Sequence, residues 1–502
     1  MLIECEKGFI KYVQFFIYIN NFVKVKKSRF MFLDSNPENN AIQKVALFES
    51  MLKDKTFTFF DAEDFEVIIE YYYQVSFKDK AKKALDMGLD RYPNDLTLLL
   101  IKVETLNASQ QFEKSLKILI KLNKFYPNNV DVILGIGKIY SILEIFPKAI
   151  DSFNKVYELI LLDPSQKELL QDLAYEFMQI GQNNQAIKVL KHILRINPND
   201  ETSMMEIGVA FHEAGKFKEA VTYFKNTIDE SPYNHLAWFN LATIYNIDEN
   251  WKDAIFGYEM CLVINEKFTA AHYGKANSYI QLKEYQKAID SFNESFIYDR
   301  PHAYAYCSIG ECYEKIGNYS KALIFYEKSL EIDDTLPESW LGIGVVRDLN
   351  NEPQQAIKFI KKAIELDSEN PEYWYLYAEI LTKLKKNKEA EIAFKKVIEL
   401  EPNNIDAWID YSNFLFDNTS KSKALKEVKK GIENNQDDLD LKLRLVAMQI
   451  SSGLIRDAKL SLSKMQHNNK NIFKKLIDIY PEVLEVKSMN QFFDFYKDNS
   501  SK

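Results

Sequence analysis

The sequence predicts an all-α protein built as a stack of helix–turn–helix repeats, and three observations predict it. Alanine returns every 34 residues at Ala186, Ala220, Ala254, Ala288, Ala322, Ala356, Ala390, Ala424 and Ala458. Ala81, Ser115 and Ala149 keep that spacing upstream of a three-residue insertion. Bulky, small and aromatic residues recur at fixed offsets from these positions, and no linker rich in Pro, Gly or Ser interrupts the register. About twelve units in one register make an array, and an array of this period is an interaction surface rather than an active site.

Residues 1–38 stand outside the register as an N-terminal extension. Phe9 to Val23 is apolar and aromatic but is interrupted by Lys11, Gln14, Asn20 and Asn21. The stretch is also shorter than the ~20 apolar residues a bilayer requires. Four readings stay open: a poorly ordered tail, an upstream extension with the working start at Met31, a cleaved signal, and an interfacial anchor through residues 9–29 helped by Lys24, Lys26, Lys27 and Arg29, which would make the chain a membrane-associated assembly factor. Residues 39–60 are expected to hold a capping helix, amphipathic over 41–53, and the repeat array to run over 62–467.

Within each repeat the first helix carries a bulky residue sixteen before the alanine: Trp238, Tyr306, Trp340, Trp374 and Trp408, with His272 and Met204 as variants. Twelve before it is a small residue, as at Gly137, Ala174, Gly208, Ala242, Ala276, Gly310, Gly344, Ala378 and Ser412. Nine before it is usually aromatic, from Tyr140 and Phe177 to Tyr279 and Tyr313. The second helix carries Phe153, Phe224, Tyr258, Phe292, Tyr326 or Phe394 four after the alanine, and Pro93, Pro127, Pro198, Pro232 and Pro402 stop it. Spacings of three, four and seven put these residues on one face of each helix. Only Gly, Ala or Ser lets two helix backbones cross closely. Residues 468–502 close the array: Ile472, Phe473, Leu476, Ile477, Tyr480, Val483 and Leu484 suggest a helical cap, extended by Phe492, Phe493 and Tyr496.

This pattern, W-x2-L-G-x2-Y, then A-x3-F, then P, resembles the tetratricopeptide repeat (TPR) family. Its best units read A-W-F-N-L-A-T-I-Y from Ala237 and A-Y-C-S-I-G-E-C-Y from Ala305. The first two units are degenerate, with Lys102 and Val103 in the usual Leu-Gly places. The resemblance implies a right-handed superhelical solenoid with helical end caps. Low Gly and Pro beside many Lys, Asn, Ile, Phe and Tyr fits a bacterial-type scaffold from an AT-rich genome.

The resemblance also implies that ligands lie in the concave groove, against positions 18, 15, 11 and 8 before the alanine. Those positions hold Tyr175, Met205, Phe239, Tyr273, Tyr304 and Tyr375 as aromatic or apolar anchors. Thr243, Asn246, Asn277 and Asn413 are uncharged and polar. Glu168, Glu311, Glu314, Asp348, Glu372, Glu379 and Asp406 supply negative charge, chiefly in the C-terminal half. Several exposed aromatics in one groove would form an anchor surface. The expected partner is a basic or apolar protein segment, and self-association through the outer face or the ends is open.

Other classes are disfavoured. With 64 basic and 73 acidic residues the net charge is −9, which repels phosphate backbones and excludes nucleic acid as the expected partner. Members that bind chaperone tails use Lys fifteen before the alanine, and this chain has none there. Gly135-Ile136-Gly137 and Gly342-Ile343-Gly344 lack the third glycine of a dinucleotide fingerprint and sit inside helices. His212-Glu213 reads as a surface pair, the four aligned tryptophans read as core, and the cysteines show neither disulfide nor metal spacing. No enzyme activity, cofactor or metal is expected, and a reducing cytoplasm is the default setting.

Overall fold

A computed structural model describes residues 37–489 except 55–57, 164, 166, 437, 467–471 and 487–488. The expected extension up to residue 36, with its anchor reading and Met31, and the tail residues Phe492, Phe493 and Tyr496 lie outside the described residues. What is described is helical, with no strand among the described residues. Helix α1 spans Pro37–Asp54. Hairpins of a first and a second helix follow: α2 (Ala62–Gln74) with α3 (Lys78–Arg91), α4 (Leu96–Ala108) with α5 (Phe112–Phe125), and α6 (Val130–Ile142) with α7 (Phe146–Leu162). Next come α8 (Leu169–Gln179) with α9 (Asn183–Ile196), α10 (Glu201–Glu213) with α11 (Phe217–Glu230), α12 (His235–Ile247) with α13 (Trp251–Ile264), and α14 (Thr269–Gln281) with α15 (Tyr285–Ser295). The series continues with α16 (Ala303–Ile316) and α17 (Tyr319–Ile332), α18 (Pro337–Leu349) and α19 (Pro353–Leu366), and α20 (Pro371–Lys383) and α21 (Asn387–Leu400). It ends with α22 (Ile405–Asn418) and α23 (Lys421–Asn434), α24 (Leu439–Ser451) and α25 (Ile455–Gln466), then α26 (Ile472–Ile479) and a 3₁₀ turn, Pro481–Glu485. The described residues group into two compact units, one up to Ser278 and one from Tyr279. The dividing point lies inside α14, where the repeat register runs on without a linker.

Local chemistry sets each hairpin. First helices begin where Asp95, Asn129, Asp200, Asn234, Asn404 and Asp438 accept the backbone N–H three residues on, at 2.7–3.0 Å. Each bond satisfies a donor that the first helical turn would leave unpaired. The turn between the two helices passes through the left-handed region five residues before the aligned alanine. Glycine fills that place at Gly181, Gly215, Gly317 and Gly453, but Ser76, Gln110, Glu144, Glu249, Lys283, Asn351 and Lys385 adopt the same positive φ. Thr419 departs from it with φ −131°.

Packing explains the alternation of small and aromatic positions. The aligned alanines are fully buried, and a Cβ added to Gly137 would meet the Phe153 ring at 2.4 Å. Added to Gly310 it would meet Tyr326 at 2.8 Å, and to Gly344 it would meet Ile360 at 2.5 Å. The small position therefore admits the side chain four after its own alanine. Where that side chain is tyrosine, the next repeat also yields: Gly274 faces Tyr258, and Gly342 faces Tyr326.

The tryptophans correct an expectation. Trp408 is buried, but Trp238, Trp340 and Trp374 are only partly so. Their reason is polar as well as apolar: the indole N–H groups of Trp238, Trp340, Trp374 and Trp408 donate to the carbonyls of Pro232, Asp334, Ser368 and Pro402 at 2.8–3.0 Å. His272 makes the equivalent contact with the Glu266 carbonyl at 3.0 Å, so it substitutes for tryptophan chemically. At the ends, Val45, Phe48 and Met51 of α1 pack on Phe60, Phe65, Ile68 and Tyr72. Ile472, Leu476 and Val483 pack on Leu443, Val446 and Leu462.

Candidate functional site

Side chains eight, eleven, fourteen or fifteen, and eighteen residues before each alanine share one face of the first helix, because each step is close to a whole number of turns. In the N-terminal unit much of that face is internal. Phe239 is 1% exposed, its ring 5.0 Å from Phe268 and 5.8 Å from Tyr258. Tyr273 is 2% exposed, and Asn246 and Asn277 are buried too. Asn246 accepts the Ser278 hydroxyl at 2.6 Å. Phe239 and Tyr273 are thus corrected from exposed anchors to core residues. Leu341, in the other unit, is buried at the same register place. Tyr175, Met205 and Thr243 remain half-buried on the face, the Thr243 hydroxyl donating to the Phe239 carbonyl at 2.9 Å.

Acidic groups on this face reach further toward the N-terminus than the sequence reading placed them. Glu66, Glu70 and Glu104 lie in the degenerate first repeats. Burial first, and then neighbouring carboxylates, hold Glu66 and Glu70 above the usual range. Between these and the aromatic stretch, Lys138 lies 3.5 Å from both Asp172 and Glu176.

In the C-terminal unit the face is polar and more open. Tyr304 and Asp348 are half-buried, as are Tyr375, Glu372 and Asn413; Glu379 and Asp406 are exposed. Glu311 and Glu314 are buried, and the Tyr326 hydroxyl donates to Glu314 at 2.9 Å. They are corrected from groove charges to largely internal ones, with Lys315 3.4 Å from Glu314. Glu168, in the other unit, is exposed.

Tyr375, Glu379 and Asp348 come together with two residues the sequence reading missed, Asp410 and Lys383. The Tyr375 hydroxyl donates to Asp410 at 3.0 Å, and Lys383 reaches Asp348 at 2.5 Å. Burial raises the Glu379 pKa, Lys383 lowers it, and Asp410 and Asp348 raise it again. Asp410 is raised by burial, with Tyr375 opposing and Asp406 adding. Two carboxylates, Glu379 and Asp410, therefore act on one phenol, with Asp348 and one ammonium beside Glu379, an arrangement that favours a further cation. Asp410 lies fourteen and Lys383 seven before their alanines; both share the face by helix geometry, and widening the register to those offsets finds them.

Among the described residues no group of three His, Cys, Asp or Glu side chains could hold a metal ion, and no helix is long and apolar enough to cross a membrane. His212 and Glu213 adjoin at 3.4 Å. Burial pushes the thiols of Cys261, Cys307 and Cys312 far above the usual range, which keeps them protonated and unreactive.

Three segments match family profiles: residues 315–397 match "Anaphase-promoting complex, cyclosome, subunit 3", and residues 268–335 and 172–235 match tetratricopeptide repeat profiles. No curated protein sequence matches the chain. Among solved structures, the APC/C hetero-tetramer Cut9–Hcn1 is similar at 14% identity over 84% of this chain and 97% of that one, with TM-score 0.40. A tetratricopeptide repeat protein from Parabacteroides merdae is similar at 18% identity over 50% of this chain and 99% of that one, with TM-score 0.40. MamA is similar at 25% identity over 32% and 95%, with TM-score 0.31.

Proposed function

We propose that this chain, a tetratricopeptide repeat protein and protein–protein interaction scaffold, grips a basic segment of a partner protein on the first-helix face of its C-terminal unit. The observation that carries this reading is the gathering of Glu379 and Asp410 at Tyr375, with Asp348 acting on Glu379 and Lys383 as the opposing cation. A Lys or Arg from a partner would offset the burial and the neighbouring negative charge that hold Glu379 and Asp410 above the usual carboxylate range. Tyr375 and Tyr304 offer half-buried aromatic surface for the apolar part of such a segment. The helices hold these groups in place beforehand, so binding orders the partner and not the scaffold. In this reading the protein is non-enzymatic, needs no cofactor, and α1 and α26 cap the two ends of the array.

Capture from native lysate by wild type and by an Asp348→Asn, Glu379→Gln, Asp410→Asn variant tests it. The expected result is one protein retained by wild type, released by salt, and lost from the variant at unchanged helical content. Equal retention by the two forms would remove the acidic face from the mechanism. Phe239 and Tyr273 are unsuitable for this test, because truncating them would damage the core.

A further inference from the structure

Helix α9 breaks the charge pattern of its neighbours. Nine residues after the alanine, the repeats on either side hold Glu158 and Asp229, and Asp90, Glu331, Glu365, Glu399 and Glu433 recur elsewhere, but the repeat of Ala186 has Arg195 there, as that of Ser115 has Lys124. Its second helix, NNQAIKVLKHILRI, holds no carboxylate at all, whereas every other described second helix carries at least one. Lys188, Lys191 and Arg195 follow one another at three and four residues, so they share one face of α9.

That face borders a cavity of about 560 Å³, within the roughly 300–1,000 Å³ range of small-ligand sites. Across it stands a face of α11 with the same periodicity, Tyr223, Asn226 and Glu230, and Leu194, Met204 and Pro198 supply apolar lining. Lys191 is partly engaged, 2.9 Å from Glu219 and over the Tyr223 ring at 5.1 Å. Lys188 lies over the Tyr157 ring at 5.0 Å, and the Arg195 Nε donates to the Lys191 carbonyl at 3.4 Å. Among the described residues no carboxylate pairs with Lys188 or Arg195. The positive field is felt locally: burial and then Arg195 lower the His192 pKa.

We propose that this cavity between α9 and α11 is a binding site for a ligand bearing clustered oxyanions, carboxylates or phosphates, with Lys188 and Arg195 as its principal cations. The guanidinium offers a fork of donors that matches either group, and the ammonium adds a movable point charge. Glu230 at the rim disfavours long polyanions and favours a compact ligand. The site uses residues of the N-terminal unit alone and none of the acidic face, so each proposal can fail without the other.

Calorimetry of the full chain at low salt, with inorganic pyrophosphate and with citrate as separate probes, decides it. Binding of either probe is expected. A Lys188→Gln, Arg195→Gln variant should weaken it at least about tenfold, since both charge-assisted contacts are lost. A Lys358→Gln, Lys362→Gln variant makes the same change in net charge elsewhere and should alter it less than about twofold. Lys188→Arg should retain it. Pyrophosphate alone binding would make the ligand a phosphate compound, and citrate alone a carboxylate one. Failure of both probes to bind more tightly than about 1 mM, or equal losses in the two double variants at unchanged thermal melting, would overturn the proposal.

Discussion

Phe239 in α12 and Tyr375 in α20 hold the same place in their repeats, fifteen residues before the aligned alanine, and have opposite fates. Phe239 is sealed by Phe268, which the chain brings in just ahead of the next repeat's first helix, α14, and its surroundings are aromatic and apolar. Tyr375 meets a following repeat that presents Asp410 instead, and while its ring packs against Phe394 its hydroxyl turns to that half-buried carboxylate. A repeat position thus has no fixed role of its own. The next unit decides whether it becomes core or contact surface.

The sharpest way to break this comparison is truncation. Phe239→Ala should cost about 3–5 kcal/mol in urea unfolding followed by circular dichroism, and Tyr375→Ala distinctly less. Equal costs would mean that the two positions are buried alike. Gly342→Ala comes next, because its Cβ would stand 2.3 Å from the Tyr326 ring, which is buried and held by Glu314. A loss of about 1–3 kcal/mol is expected from such overpacking, partly restored by adding Tyr326→Leu. Tyr375→Phe keeps the ring and removes one hydrogen bond, for about 0.5–1.5 kcal/mol. It should also raise the Asp410 pKa, readable by carboxyl-labelled NMR titration, because the lost phenol stabilised the ionised form.

Two smaller effects sharpen the picture. Lys385→Gly should raise stability by about 0.5–1 kcal/mol, since a positive φ strains any residue with a Cβ, while the same change at Asn351 should give less because asparagine tolerates that region. Glu379→Gln tests the electrostatics through pH. Glu379 has a raised folded pKa, so its stabilising share is present when protonated and is lost as pH rises through that value. The variant should therefore be more stable than wild type near neutrality, by well under about 1 kcal/mol given solvent screening. The difference should close as pH falls through the raised Glu379 value, and a gap independent of pH would remove the electrostatic account.

Much of the fold was legible because it rests on short-range rules. The alanine register, the small residue twelve before it and the aromatic four after it describe contacts inside one hairpin, and Gly137 against Phe153 shows why such pairs must recur together. The pairing of Tyr258 with Gly274 and of Tyr326 with Gly342 was also written in the chain. At the four positions where phenylalanine replaces tyrosine, Asp172, Asn240, Ser308 and Asp410 stand in place of the glycine. That pairing crosses repeats, so reading each repeat alone hides it. The candidate site was half legible: Tyr375, Glu379 and Asp348 were found by register, while Asp410 and Lys383 fell at neighbouring offsets of the same face.

By itself the sequence determined the all-helical architecture, the repeat length and the face of each helix that turns inward. Those follow from periodicity and from residue size, which are local quantities. Only the tertiary structure decided which aromatics are sealed, that Glu311 and Glu314 are internal, that histidine can replace tryptophan through its hydrogen bond to a carbonyl, and that lysines and an arginine on α9 meet a cavity. Each of these depends on what the adjoining helix or loop carries, and burial is a property of the pair rather than of either residue.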